Sequence, residues 1–245
     1  MTAYNYNYYT LPIKITNHSP KYKLSGFVSI NVLPGEFCDK MMKDNTNVCS
    51  QCYCKRIINQ YSNAKKAYRF NTDVLSKRNL TSKECKDIER YINGKQKLYG
   101  IRLNSIGELI NDIHIENLQN IAYEIDPQIP ITLWTKRPEM LFKAIKTPLF
   151  KVVQSCLKLN RYILPQNCDD RIQYTFNVYD DREKMNDHIA MIRDNYPDTE
   201  IVYCGGKCSE CMICYSHIDY TAKRCAIFEL TKNKQNSERK KSGVK

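Results

Sequence analysis

Seven of the chain's twelve cysteines fall in two tight groups, Cys38-x10-Cys49-x2-Cys52 and Cys204-x3-Cys208-x2-Cys211-x2-Cys214. Thiols gathered in hydrophilic turns are poor core material and good metal ligands, because the thiolate is the ligating form and a short turn lets several face one point. In the second group, CGGKCSECMICY, Gly205 and Gly206 let the backbone fold tightly around a bound object. Four thiols within eleven residues match the packed cysteine runs that hold cubane iron–sulfur clusters. A zinc ribbon, the alternative, divides its ligands between two CxxC knuckles. The expected metal ligands are Cys38, Cys49, Cys52, Cys204, Cys208, Cys211 and Cys214. The expected cofactor is one or two 4Fe-4S clusters, with zinc as the alternative metal. Cys54 stands beside the first group, and His217 follows the second. Cys85, Cys156, Cys168 and Cys225 are isolated, with Cys85 and Cys156 on apolar faces.

Two further constellations carry charge. Asn104-Ser105-Ile106-Gly107-Glu108 follows a β-prone run, so its carboxylate can receive an amino group or a hydroxyl there. Trp134-Thr135-Lys136-Arg137 puts the one tryptophan beside two cations, a pattern that binds an anion or stacks on a base. Asn104, Gly107, Glu108, Lys136 and Arg137 are therefore the expected cofactor-binding residues. A helix-start acid and a solvated turn are the plainer readings of these segments. His18, His114 and His188 have no partner in sequence and are not expected to be ligands.

The elements that must position these groups alternate. Phe27–Val32, Tyr99–Asn104, Ile131–Thr135, Val152–Cys156, Ile172–Tyr179 and Glu200–Cys204 read as strands. Helices are expected over residues 55–69, after the capping-box pair Thr81 and Glu84, through Ile115–Ile125, from Pro138, and over about 182–196. Such alternation predicts a parallel sheet with its reactive residues at the carboxyl ends of the strands. The expected fold is α/β, a partial (β/α) barrel of about six parallel strands with cysteine-rich metal loops at that face. Residues 1–26 read as an irregular segment with a short extended piece near Leu11–Ile15. Residues 27–230 read as one metal-binding domain, and 231–245 as a disordered basic tail.

Composition sets the class. Hydrophobic residues make 42% of 245, enough for an ordinary core. No apolar run approaches the ~18 residues that span a bilayer, and no secretory pattern opens the chain. No membrane partner and a cytoplasmic location are expected, where metal ligation is the commoner use of clustered cysteines. The net charge is +12, of which six cations against Glu238 place +5 in residues 231–245. This charge favours polyanions, so nucleic acid is an expected partner through the basic surface and tail.

In order along the chain, SINVLPGEFCDKMMKDNTNVCSQCYC, YGIRLNSIGELI, ITLWTKRPEML and CGGKCSECMICY resemble the phage "gene product eighty-eight" family of cysteine-rich proteins. The likeness spans roughly Phe27–Tyr215 and implies a phage protein in the host cytoplasm. That family's pattern has alanine at the position of Cys54, which implies that Cys54 is an extra residue rather than a ligand. The layout also resembles the radical S-adenosylmethionine core, a six-stranded partial barrel with a three-cysteine cluster loop after its first strand. There a Gly-Gly-Glu segment after the second strand holds the methionine amino group. That resemblance implies such a role for Gly107 and Glu108, and an enzyme using S-adenosylmethionine. Three features differ: the first cysteine gap is ten residues, Ile106 replaces the first glycine, and the CxxxCxxC spacing occurs instead at Cys204, Cys208 and Cys211 with Glu210 for the usual aromatic. The expectation is an iron–sulfur protein, as a radical-type enzyme with unknown substrate or as a metal-stabilised nucleic-acid-binding protein without catalysis.

Overall fold

The computed structural model describes residues 11–18, 23–95, 97–144, 148–215 and 224–231. The basic tail beyond Thr231 and His217 lie outside the described residues. In chain order the elements are β1 (Ile15–Asn17), β2 (Phe27–Ile30), α1 (Glu36–Met42), α2 (Cys54–Gln60), α3 (Ser62–Lys77), α4 (Ser82–Asn93), β3 (Gly100–Leu103), α5 (Asp112–Glu124), β4 (Ile131–Thr135) and α6 (Pro138–Ala144). Then come β5 (Lys151–Ser155), β6 (Ile172–Tyr179), α7 (Arg182–Asn195), β7 (Glu200–Tyr203), α8 (Cys208–Cys211) and β8 (Cys225–Leu230). Short 3-10 turns cover Val48–Gln51, Pro165–Asn167 and Ile213–Tyr215.

The strands form one eight-stranded sheet in the order β1-β2-β3-β4-β5-β6-β8-β7. Only β1 is antiparallel, and the sheet is not closed. The expected count of about six parallel strands is therefore corrected to seven, with antiparallel β1 making eight, and Glu200–Tyr203 is not the last strand. β8 inserts between β6 and β7 and is buried on both faces. A doubly buried strand has no period-2 alternation, which is why CAIFEL looks featureless in sequence. The extended piece expected near Leu11–Ile15 becomes β1, with Ile13 and Ile15 in the core.

From β2 to β6 each strand lies beside the one before it. The two faces of the sheet are covered differently. Val28, Ile30, Ile101, Leu103, Ile131, Leu133 and Val152 point to one side, where Leu75, Ile88, Ile92, Ile115, Leu118 and Leu141 of α3–α6 meet them. Farther along, Ala226, Phe228 and Leu230 pack on Met185, Ile189 and Ile192 of α7. The alternate residues point the other way: Phe27, Trp134, Val153, Tyr174, Phe176, Cys225 and Ile227. That side is covered by the cysteine segment 204–215, through Cys204, Cys208, Met212, Ile213, Cys214 and Tyr215.

Local signals explain the helices. α4 carries the expected capping box: Thr81 accepts from Glu84 N and Glu84 Oε2 accepts from Thr81 N. The single helix expected over 55–69 is instead α2 and α3, broken at extended Tyr61. Two buried asparagines brace the helical layer. Asn71 bonds both backbone groups of Lys14 and the carbonyl of Asn31. Asn117 accepts from Leu80 N and donates to the carbonyls of Leu75 and Arg78.

Candidate metal and cofactor site

The connections after β2, β3 and β4 are interlocked, because parallel neighbours deliver their carboxyl ends to one rim. Val32 N donates to Ile106 O at 3.2 Å and Ile106 N to Asn31 Oδ1 at 3.0 Å. Gly107 has φ +88, and a Cβ there would stand 2.4 Å from Val32 O. Glycine is required at that crossing. Glu108 is 8% exposed and reaches across to the next connection. Its Oε1 accepts from Thr135 Oγ1 (2.5 Å) and Leu109 N (2.9 Å), and its Oε2 from Lys136 N (2.8 Å). Burial raises its pKa, against Lys136 and these hydrogen bonds.

The first cysteine group sits over this carboxylate on helical turns rather than in an open loop. Cys38 is in α1, Cys49 in the 3-10 turn, Cys52 at its end, and Cys54 opens α2. Burial pushes the Cys38 thiol up to about 12, with Glu108 and Cys49 reinforcing and Lys136 opposing. Cys49 is raised by burial against the pull of Lys136. Cys52 and Cys54 share a hydrogen bond that draws Cys52 down and Cys54 up. Cys38, Cys49, Cys52, Glu108 and Lys136 thus form one electrostatic neighbourhood. Burial works against the Lys136 charge, and Cys49, Glu108, Cys52 and Cys54 outweigh it. Among the described residues the Lys136 ammonium makes no ion pair.

The second group starts at the carboxyl end of β7 and crosses to the far side of the sheet. Lys23, just before β2, donates to Cys204 Sγ at 3.4 Å and pairs with Glu229 of β8 at 2.9 Å. Cys208 N donates to Lys23 O, and Thr132 Oγ1 of β4 donates to Cys214 O at 2.5 Å. Tyr215 packs on Phe27, ring centroids 4.5 Å apart. Burial raises Cys208 and takes Cys214 up to about 12, while Arg102 opposes both. Cys225, isolated in sequence, is buried beneath this segment with Cys204 and Cys214 packed against it.

Arg102 of β3 lies beside the second group and Tyr53. Its guanidinium carbon is 4.0 Å from the Trp134 ring centroid, and its Nε is buried without a hydrogen-bond partner. Burial works against its charge; Tyr215, Tyr53, Cys208 and Cys214 favour it and prevail. Tyr53, between Cys52 and Cys54 in sequence, donates to Ser105 O. Arg102 makes no ion pair among the described residues.

The other expected residues divide. Asn104, at φ +57 and 5% exposed, leaves both side-chain polar atoms unpartnered. Arg137 is committed elsewhere: its Nη1 donates to Leu109 O at 2.6 Å and its Nε pairs with Glu139. Trp134 is sandwiched by Arg102 and Phe176, so it stacks within the fold instead of on a base. Sequence reasoning missed His18, whose Nε2 lies 2.6 Å from Ser29 Oγ, itself 2.9 Å from Ser105 Oγ. Ser29 and Arg102 are register partners on β2 and β3, and nothing in sequence pairs either with His18. Among the described residues, no three His, Cys, Asp or Glu side chains stand as close as one bound metal ion requires. Comparison with protein-family models, with curated proteins and with solved structures gives no match.

Proposed function

We propose that this is an iron–sulfur protein with a partial (β/α) barrel fold, related to the phage "gene product eighty-eight" family and working in a reducing cytoplasm. The observation that carries the reading is the pair Arg102 and Lys136. Each cation is coupled by charge to one cysteine group; neither makes an ion pair among the described residues, and the one carboxylate coupled to Lys136 is the buried, already hydrogen-bonded Glu108. A half-buried cation beside neutral thiols is costly. Beside metal-bound thiolates it is compensated, because coordination deprotonates the thiol outright. Iron–sulfur is favoured over zinc by spacing. One tetrahedral ion with bonds of ~2.3 Å holds its sulfurs within about 4 Å of each other. A cluster takes one thiolate per iron, so its ligands stand wider apart.

The barrel reading is supported by the helices lying on one face and by Lys23, before β2, meeting Cys204, Cys208 and Glu229 from the other end of the sheet. Cys38, Cys49 and Cys52 would hold a cluster with one open iron, and Cys204, Cys208, Cys211 and Cys214 a fully ligated one. The open iron would take the amino-acid end of S-adenosylmethionine. The residues fit that group: Asn104 has a buried amide with nothing to bond, and Glu108 is fixed beside Cys38 and Cys49. When bound, such a cluster supplies an electron for reductive cleavage of the cofactor. The chain's own part is to orient it: Glu108 accepts from an ammonium, Asn104 bonds a carboxylate, and Lys136 offsets thiolate charge.

Adding S-adenosylmethionine to the reduced protein should change the paramagnetic resonance of the first cluster, and Glu108→Ala should weaken that change. An unaltered spectrum at saturating ligand would leave an electron-transfer or structural cluster.

A further inference from the structure

The outer surface of α2 and α3 has no role in the metal site. From Asn45 to Thr72 the chain has five cations and no acid. Lys55, Arg56, Lys65, Lys66 and Arg69 are all exposed, and none makes an ion pair among the described residues. Elsewhere cations and acids intermingle: Lys83, Arg90, Lys158, Arg171 and Arg224 each pair with a carboxylate, and the exposed cations without an ion pair among the described residues, such as Lys40, Lys86, Lys184 and Arg193, stand on helices that also carry acids. The next acid along, Asp73, is already taken by Lys77.

On α3, Lys65 and Arg69 lie one turn apart on one ridge, and Lys66 and Phe70 on the next, so each pair spans about 6 Å of helix. Aromatic rings are interleaved with these cations. Tyr61 and Phe70 are 52% and 42% exposed, and Lys14 lies over the Phe70 ring at 5.3 Å; Tyr53, 46% exposed, is tied by its hydroxyl to Ser105 O and belongs to the site side. Burial does not explain rings left in water on a helical pair whose inner side, Cys54 and Tyr68 against Ile106, is well packed. Tyr61 is held out by the break between α2 and α3.

We propose that this face binds single-stranded nucleic acid. Unpaired cations supply phosphate contacts, and exposed rings offer stacking platforms to unpaired bases. An acidic protein would use the cations but leave the rings idle. A bilayer would need a continuous apolar stripe, which Lys65, Lys66 and Arg69 interrupt. Because Cys54 opens α2, a bound strand would lie about one helix diameter from the first cysteine group. The proposal does not depend on which metal that group holds.

The test is fluorescence anisotropy of the full chain with a labelled oligo(dT) of about 12 nucleotides. The variant Lys55→Gln, Arg56→Gln, Lys65→Gln, Lys66→Gln, Arg69→Gln should weaken binding at least ~10-fold near 0.1 M salt. Its salt slope should become shallower by about 3.5, at ~0.7 per lost phosphate contact. The control Lys83→Gln, Arg90→Gln, Lys158→Gln, Arg171→Gln, Arg224→Gln removes the same charge and should lose less than ~3-fold. Should the fivefold variant fail to fold, Lys66→Gln and Arg69→Gln singly should each cost roughly 3- to 5-fold. Tyr61→Ala should cost about 5-fold or more on oligo(dT) and much less on duplex DNA. Equal losses in the two charge variants, no loss in either, or a loss confined to phosphatidylserine vesicles would overturn the proposal.

Discussion

The two faces of the sheet are held by different physics. The helix-covered face is a continuous apolar layer, with Leu75, Ile88, Ile92, Ile115, Leu118 and Leu133 at 0% exposure. The cysteine-covered face mixes rings with Arg102, buried Lys151 and unpartnered polar atoms on Trp134 and Tyr215. The first face is filled by its own side chains, with His114 a buried polar group that none of them satisfies. On the proposed reading the second is completed by what its thiols bind, which would assign stability and function to opposite sides of one sheet.

The largest expected effect is on the helix-covered face. Leu133→Ala leaves a cavity under α3–α6 and should cost roughly 2–5 kcal/mol in denaturant unfolding, with or without metal. Cys214→Ser should cost little in stripped protein and lower the thermal midpoint of metal-loaded protein. An equal loss in both forms would erase the distinction between the faces.

His114 gives the same face an acid sensitivity. It is wholly buried on α5 with neither ring nitrogen partnered, and burial holds its pKa near 4 against an ordinary 6.5. The unfolded chain therefore binds the proton first, so stability falls as pH drops from about 6.5 through 4. The share of this one residue is about 3 kcal/mol. Unfolding curves at pH 7 and pH 4.5 should converge for His114→Leu relative to the parent; an unchanged difference would place the sensitivity elsewhere.

A smaller effect belongs to the helical braces. Asn71→Ala leaves the Lys14 and Asn31 backbone groups without their partner and should cost about 1–3 kcal/mol. Smallest is the exposed cap of α4. Thr81→Ala should cost about 1 kcal/mol. The hydrogen bond from Arg78 holds Glu84 near 2, so its contribution is full above about 4.5 and fades as pH falls toward 2. Glu84→Gln should remove that fade, as read by thermal midpoints across pH 2–5.

What was legible in the sequence follows the same divide. The capping box, the strand Ile172–Tyr179 and the apolar stripes of α4 and α5 rest on local spacing, which pattern carries. β8 escaped because burial on both faces removes alternation, and the break at Tyr61 because apolar spacing continues across it. At the site, the thiol groups, Asn104 and Glu108 were visible by type and by position after a strand. The Arg102–Trp134 stack, the His18–Ser29–Ser105 chain and the return of residues 204–215 across the sheet depend on long-range pairing, on which local spacing is silent. Arg137 shows the converse: its position was right for a ligand, yet the carbonyl of Leu109 claims it.

The account turns on whether the thiols hold iron and sulfide. Protein purified without oxygen should be brown, absorb broadly near the visible–ultraviolet boundary, and contain iron and acid-labile sulfide in equal amounts. Serine at Cys38, Cys49 and Cys52 should remove one share, and serine at Cys204, Cys208, Cys211 and Cys214 the other. Colourless protein with stoichiometric zinc and no sulfide, or with no metal and freely titrating thiols, would contradict it.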